Sequence, residues 1–211
     1  ILGEREFWSL TFQVTPEVLI PRPESEILVE RLISSVQRGM PHLRILDLGT
    51  GSGCLLLAAL SELPNSLGVG VDISVGALKI ARENAARLAL SGRAHFLCSD
   101  WGRAVTGKFD IILANPPYIA TGNIQSLPPE ICMLEPRSAL DGGRNGLESY
   151  NVLSWWVRCL LALDGRAFVE IGIGQADAVT RMFEKHGLRI VDRWNDLASI
   201  IRCLVVACPV K

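Results

Sequence analysis

Apolar residues along this chain fall into dense runs of two lengths, and the two lengths alternate. The short runs, at 44–48, 69–72, 94–98, 109–114 and 166–171, are bounded by polar or glycine-rich breaks. Runs of that length and character read as parallel strands buried on both faces. Between them lie longer stretches with helical spacing. Ile27, Leu28, Leu32 and Ile33 mark one. Residues 54–60 are apolar nearly all round, and Leu78, Ala81, Ala85 and Leu88 line one face of a helix predicted over 77–90. Further helices are predicted over 147–163 and over 175–186, the latter closed by Gly187. Strand and helix in alternation predict an α/β fold with a mostly parallel sheet. Residues 188–194 and 200–207 read as two last strands. Their short link implies an antiparallel pair at one edge, which brings the sheet to seven strands. Phe7 to Leu10 and Phe12 to Val14 predict an N-terminal hairpin or ribbon. Residues 119–147 are loop-rich. The division expected is a ribbon and lead-in helix over 1–40, followed by the α/β unit over 41–211.

Composition narrows the classes. The chain has 211 residues, 49% hydrophobic and 20% charged, with a net charge of -1. That balance supplies no basic field for nucleic acid, and no apolar stretch reaches membrane-spanning length. Six cysteines are scattered without a Cys-x-x-Cys pair, and three histidines are isolated. Several of the cysteines sit in apolar runs and predict buried thiols in a reducing compartment, and the isolated histidines predict no metal site. The chain opens Ile1-Leu2-Gly3, which points to an upstream part that has been removed.

Two turns carry the chemistry. The first, Gly49-Thr50-Gly51-Ser52-Gly53, follows a strand and opens a helix, so a ligand can approach its backbone and the helix N-terminus. No Gly-Lys-Ser/Thr ends it, which excludes a phosphate-binding P-loop, and Cys54 departs from the dinucleotide fingerprint. The tighter glycine spacing, with Asp47 just before it, favours a nucleoside bearing an amino-acid tail. Asp72 ends the next strand about 20 residues on, where a carboxylate accepts ribose hydroxyls. Asp100 and Trp101 fit the amine and ring of an adenine. They fit equally well a helix-capping aspartate and a half-buried tryptophan.

The second turn is Asn115-Pro116-Pro117-Tyr118. Neither proline has an N–H to extend the strand before it, so the chain leaves the sheet with a stiff backbone. The Asn115 side-chain oxygen and the Pro116 carbonyl form an acceptor pair for a planar –NH2 group. Tyr118 can lie against the flat face of that group. The chemistry suggested is alkylation of a planar nitrogen; Asn-Pro and Pro-Pro are also ordinary loop dipeptides. Upstream, Arg22 and Glu24 flank Pro23, where a solvated helix start is the plainer reading. A long loop such as 119–147, directly after this corner, is expected to act as a lid or clamp.

Taken together these residues resemble the release-factor N5-glutamine methyltransferase family (HemK/PrmC type) over nearly the whole chain. The resemblance is carried by Glu6-Phe7-Trp8-Ser9-Leu10, by Ile20 to Glu26 with Ser25 in place of Thr, and by Asp47 to Gly53. Asn115 to Ile119, Glu135 to Gly143 and Glu170 to Gln175 complete it. It implies a Rossmann-like class I methyltransferase that uses S-adenosyl-L-methionine and releases S-adenosyl-L-homocysteine. The implied reaction is N5-methylation of the glutamine amide in the Gly-Gly-Gln loop of class 1 peptide chain release factors, in the bacterial cytoplasm. The enzyme would be a monomer, with no metal, membrane or direct nucleic acid partner. Gly49, Thr50, Gly51, Ser52, Gly53, Asp72, Asp100, Trp101 and Asn115 would hold the cofactor, with Arg22 and Glu24 ordering the lip of its pocket. Asn115, Pro116, Pro117 and Tyr118 would hold the substrate amide, with Asn115, Pro116 and Tyr118 catalytic. The alternative acceptors are an adenine or guanine in nucleic acid, or a ribosomal-protein glutamine. Asn145 and Ser199 depart from the family's usual Asp and Gly. The family's small helical N-terminal domain is absent from this sequence.

Overall fold

A computed structural model describes residues 3–36 and 42–209. The boundary expected between residues 40 and 41 falls outside the described residues. The chain begins with the expected ribbon, β1 (Glu4–Phe7) and β2 (Leu10–Gln13), paired antiparallel. Its turn residues Trp8 and Ser9 both lie in the left-handed region, at φ 53° and 58°. Left-handed φ at both positions suits a tight hairpin but is unusual for such side chains. Two acids hold the strained turn. The Trp8 backbone N–H donates to Glu26 and its indole N–H to Glu62, each at 2.8 Å.

A single 3₁₀ turn, Pro23–Ser25, leads into α1 (Glu26–Ser35). The alternating elements follow: β3 (Arg44–Leu48), α2 (Cys54–Glu62), β4 (Leu67–Asp72), α3 (Val75–Arg87), β5 (Ala94–Cys98) and β6 (Phe109–Ala114). After a long excursion come α5 (Glu148–Leu160), β7 (Leu161–Glu170), α6 (Ala176–Lys185), β8 (Arg189–Asn195) and β9 (Ile201–Ala207). The excursion holds the short helix α4 (Pro129–Leu134) and two 3₁₀ segments, so this loop-rich stretch is built rather than loose.

The seven strands are ordered β5-β4-β3-β6-β7-β9-β8. β3 to β7 are parallel, and β9 runs antiparallel to both its neighbours, closing the predicted antiparallel edge. The chain winds outward from β3 through β4 to β5, then returns to start again at β6. Carboxyl ends of strands at such a reversal form the crevice where open α/β sheets bind ligands. Both sheet faces are buried with a period of two. Ile45, Ile111, Leu113 and Phe168 meet α1 and α2 on one side; Leu46, Leu48, Ile112 and Ala114 meet α5 and α6 on the other.

Two boundaries differ most from the sequence expectation, and the first is the stretch Phe7 to Leu10, which is no strand but holds the hairpin turn at Trp8-Ser9. At the second, the helix expected to run to residue 163 ends at Leu160, and Leu161 already pairs with Phe109. The apolar run 160–163 has no polar break to mark the change. The pairing then jumps to Ile111 with Arg166, so residues between them bulge out. Gly165 sits in that bulge because an added Cβ would meet the Asp110 carbonyl at 2.8 Å. No helix among the described residues is long and apolar enough to cross a membrane.

The ribbon is pinned to the sheet by Asn84, which is fully buried in α3. Its side-chain oxygen accepts the Gln13 N–H at 2.7 Å, and its amide donates to the carbonyls of Gln13 and Ser52. One side chain thus joins β2 to the glycine loop. Replacing Asn84→Ala strands a buried N–H and two carbonyls, so unfolding in urea should show a loss of about 3 kcal/mol.

Candidate active site

The glycine loop leaves β3 at the crevice. Gly49 and Thr50 both donate their N–H to the Val71 carbonyl of β4, and the Thr50 hydroxyl donates to Asp47 at 2.7 Å. Asp47 is wholly buried, and burial pushes its carboxyl up to about 7 against the pull of the Thr50 bond. Gly51 donates its N–H to Asp72 at 2.9 Å, and Ser74 donates to the other Asp72 oxygen at 2.9 Å. Each oxygen keeps one lone-pair direction for a further donor. Gly49 and Gly51, at φ 79° and 55°, face open space, whereas Gly53 is wedged between Leu57 and Ala81. The first two glycines line an open cradle; the third lets α2 pack closely.

That cradle opens on a cavity of about 300 Å³. Of the residues singled out in the sequence, Arg22, Gly49, Thr50, Gly51, Ser52, Asp72, Asp100, Trp101, Asn115, Pro116 and Pro117 line it. Gly53, Glu24 and Tyr118 do not. Glu24 is exposed on the turn before α1. Tyr118 lines an adjoining cavity of about 180 Å³. Arg22, Asn115 and Pro116 line both cavities, so the proline corner stands where the two meet. Cys54 also lines the larger one, but burial pushes its thiol up to about 12, so it holds its proton.

Two residues without a role in the sequence reading govern Asn115. Its amide nitrogen donates to the Ser25 hydroxyl at 3.1 Å, and that hydroxyl donates to Glu170 at 2.5 Å. A hydroxyl has one hydrogen. Given to an ionised Glu170, it leaves Ser25 only as an acceptor, which fixes which end of the amide is NH2. No donor among the described residues meets the Asn115 side-chain oxygen or the Pro116 carbonyl. Glu170 ends β7 at 1% exposure, and burial raises its carboxyl to about 7. The Tyr118 hydroxyl approaches it at 3.4 Å and is itself pushed to about 12 by burial and then by that carboxylate. The available signal was an acid closing an apolar strand, Val169-Glu170-Ile171, where a buried charge needs a partner.

The segment after the corner is clamped from behind. The Gln175 amide donates to the carbonyls of Tyr118 and Gly146, and its oxygen accepts from Gly172 and Tyr150. Gly142 lies so close that an added Cβ would meet the Pro117 carbonyl at 2.8 Å. Across the cavity, Arg22 pairs with Glu135 at 2.6 Å, with the Glu135 side chain 2% exposed. Pro136, Ser138 and Ala139, just beyond it, form part of the cavity wall. Arg22 thereby ties the pocket lip to the long excursion.

A family model described as Methyltransferase small domain matches residues 23–132. A release factor glutamine methyltransferase of Caulobacter vibrioides is 42% identical over 94% of this chain and 69% of its own length. The Agrobacterium fabrum protein of the same name is 40% identical, over 97% and 72% respectively. The chain belongs to the release factor glutamine methyltransferase family. It spans 62% of the Rhodospirillum rubrum member, to which it is 45% identical. A solved protein-(glutamine-N5) methyltransferase, release factor-specific, from Alicyclobacillus acidocaldarius superposes with a TM-score of 0.54 at 29% identity. That match covers 94% of this chain and all of the other. The ribosomal protein L11 methylase of Lactobacillus delbrueckii, at 21% identity and TM-score 0.67, shares the fold.

The two departures from the family pattern have local accounts. The Asn145 side-chain oxygen accepts the Leu147 N–H at 3.1 Å, a bond an aspartate would make equally. Ser199 sits at φ 63°, a conformation suited to glycine. Ser199→Gly should therefore raise stability by about 1 kcal/mol in chemical denaturation.

Asp47 gives a pH prediction. Its folded-state pKa of about 7 lies above the unfolded 3.8. Its contribution to stability is therefore full below the unfolded value and is lost as pH rises through about 7. Denaturation midpoints should fall between about pH 4 and pH 7, and Asp47→Asn should make that decline shallower.

Proposed function

We propose that this chain methylates the side-chain amide nitrogen of a glutamine, using S-adenosyl-L-methionine, and that the glutamine lies in the Gly-Gly-Gln loop of a class 1 peptide chain release factor. The names of its relatives support the acceptor. The observation that carries the chemistry is the Asn115 amide, fixed by Ser25 and Glu170 at the wall shared by two cavities.

The larger cavity fits an adenosine with an amino-acid tail. Gly49 and Gly51 leave room where side chains would intrude. Asp72 retains acceptor capacity for ribose hydroxyls. Asp100 and Trp101 line the same cavity, and they offer an acceptor for an exocyclic amine and a face for a flat ring. When bound, S-adenosyl-L-methionine supplies a methyl group on a cationic sulfur, and S-adenosyl-L-homocysteine remains as product.

The chain's own residues supply position and polarity. An amide nitrogen is a poor nucleophile because its lone pair is delocalised into the carbonyl. The Asn115 side-chain oxygen and the Pro116 carbonyl each accept one of its N–H groups, which orients the nitrogen and raises its electron density. One of the two protons that these oxygens hold is then released to bulk water, which returns the methylated amide to neutrality. Tyr118, neutral through the physiological range, packs beside the amide and holds Glu170 in place. Fixing two reactants in contact supplies much of the acceleration. Glu24 and Gly53 act by shaping the surroundings, the first at the turn before α1 and the second under α2.

The methyl acceptor is tested with radiolabelled methyl donor, full-length release factor and the same factor carrying Gln→Ala in its Gly-Gly-Gln loop. Label should enter the first and not the second. Equal labelling of both overturns the proposal, and label entering an oligonucleotide or a ribosomal protein instead moves the acceptor to that class. Asn115→Ala should lower kcat on the order of 10²-fold or more, the scale for losing one preorganised polar contact.

A further inference from the structure

We propose that Glu170 is a positioning residue that determines, through Ser25, which end of the Asn115 amide is offered to the substrate. The inference rests on the acceptor role given to Asn115 above and names the group that controls it.

The chain of contacts has one hydrogen at each link. Glu170 accepts the Ser25 hydroxyl hydrogen at 2.5 Å, within the range of a short bond to a charged oxygen. The Ser25 oxygen then accepts from the Asn115 amide nitrogen at 3.1 Å. The side-chain oxygen of Asn115 is left as the free end, the polarity needed to accept an N–H. Protonation of Glu170 at Oε2, the oxygen that meets Ser25, reverses every link. The carboxyl O–H donates to Ser25, the Ser25 hydroxyl turns to donate, and Asn115 must present its oxygen to Ser25. Its NH2 then faces the substrate, donor against donor.

Both Ser25 and Glu170 are buried, at 2% and 1% exposure, so water does not substitute for either. The groups around Glu170 come from every element packed on it. Arg202 of β9 favours its charge, and the Ser25 and Tyr118 hydroxyls also stabilise it. Glu24 opposes the charge from the turn before α1. Tyr150 of α5, Cys203 of β9 and Cys54 of α2 also feel it, but burial holds each of them neutral. Burial outweighs the favourable contacts and leaves the Glu170 carboxyl titrating at about 7. The amide should therefore turn within the physiological range.

The test reads the Asn115 side-chain NH2 signals in ¹⁵N-labelled protein, without substrate, from about pH 5 to about pH 9. In the wild type these signals should shift along one titration curve. Ser25→Ala and Glu170→Gln should abolish the shift, and Ser25→Thr should restore it. Persistence of the same titration in Ser25→Ala, or signals that stay flat in the wild type, overturns the inference. Where Glu170→Gln unfolds the protein, the two Ser25 variants carry the comparison. In methyl-transfer assays kcat should fall about tenfold per pH unit below the midpoint. KM for the release factor should stay level, and Ser25→Ala should lose the acid limb. Because the magnetic resonance arm contains no acceptor, the two failures are separable. A titrating amide without release-factor labelling rejects the acceptor assignment alone. A flat amide with labelling rejects the role of Glu170 alone.

Discussion

Two consecutive residues without an N–H impose the central constraint on this molecule. Pro116 and Pro117 follow β6 directly, so the corner cannot be held by the ladder bonds that fix the strand before it. Everything that secures it must come through side chains and carbonyls. Ser25 takes the Asn115 amide, Gln175 takes the Tyr118 carbonyl, and Ile119 then rejoins a backbone pairing with residues 140 and 142. Gly142 is small because the corner leaves it no room. The long excursion 119–147, the turn before α1 and the end of β7 all converge on a tetrapeptide that cannot hold itself.

The sheet order explains why convergence happens there. The chain reverses direction of growth between β3 and β6, so the glycine loop and the proline corner leave adjacent strands side by side. One strand end presents open glycines; its neighbour presents oxygen acceptors. Buried acids stand behind both. Asp47 orients Thr50 behind the glycine loop, and Glu170 orients Ser25 behind the corner. Each costs stability as an ion in a dry interior and is retained where its hydrogen bonds fix a neighbouring group.

Much of this was legible in the sequence. Buried strands with β-rich, evenly apolar runs stood out at 44–48 and 109–114, and glycine and proline punctuated the turns that carry the site. Three things were hidden. The hairpin turn at Trp8-Ser9 uses side chains that give no turn signal, because distant acids hold it. The change from helix to strand at Leu161 falls inside an unbroken apolar run, where periodicity has nothing to resolve. Ser25 and Glu170 were visible as residues but not as a pair, since only the fold brings β7 against the turn before α1. Glu24, two residues from a cavity-lining arginine, faces outward because the 3₁₀ turn rotates it away from the site.

The Ser25–Glu170 bond joins residues 145 positions apart. During synthesis the chain emerges N-terminus first. The glycine loop and proline corner are on the same side of the ribosomal exit well before β7 has been made. A nascent chain halted after the corner therefore has both turns but not Glu170, and the Ser25 hydroxyl that receives the Asn115 amide has no carboxylate to orient it. The polarity of the Asn115 amide is set only when β7 pairs with β6, and β9 and β8 then complete the sheet on its far side.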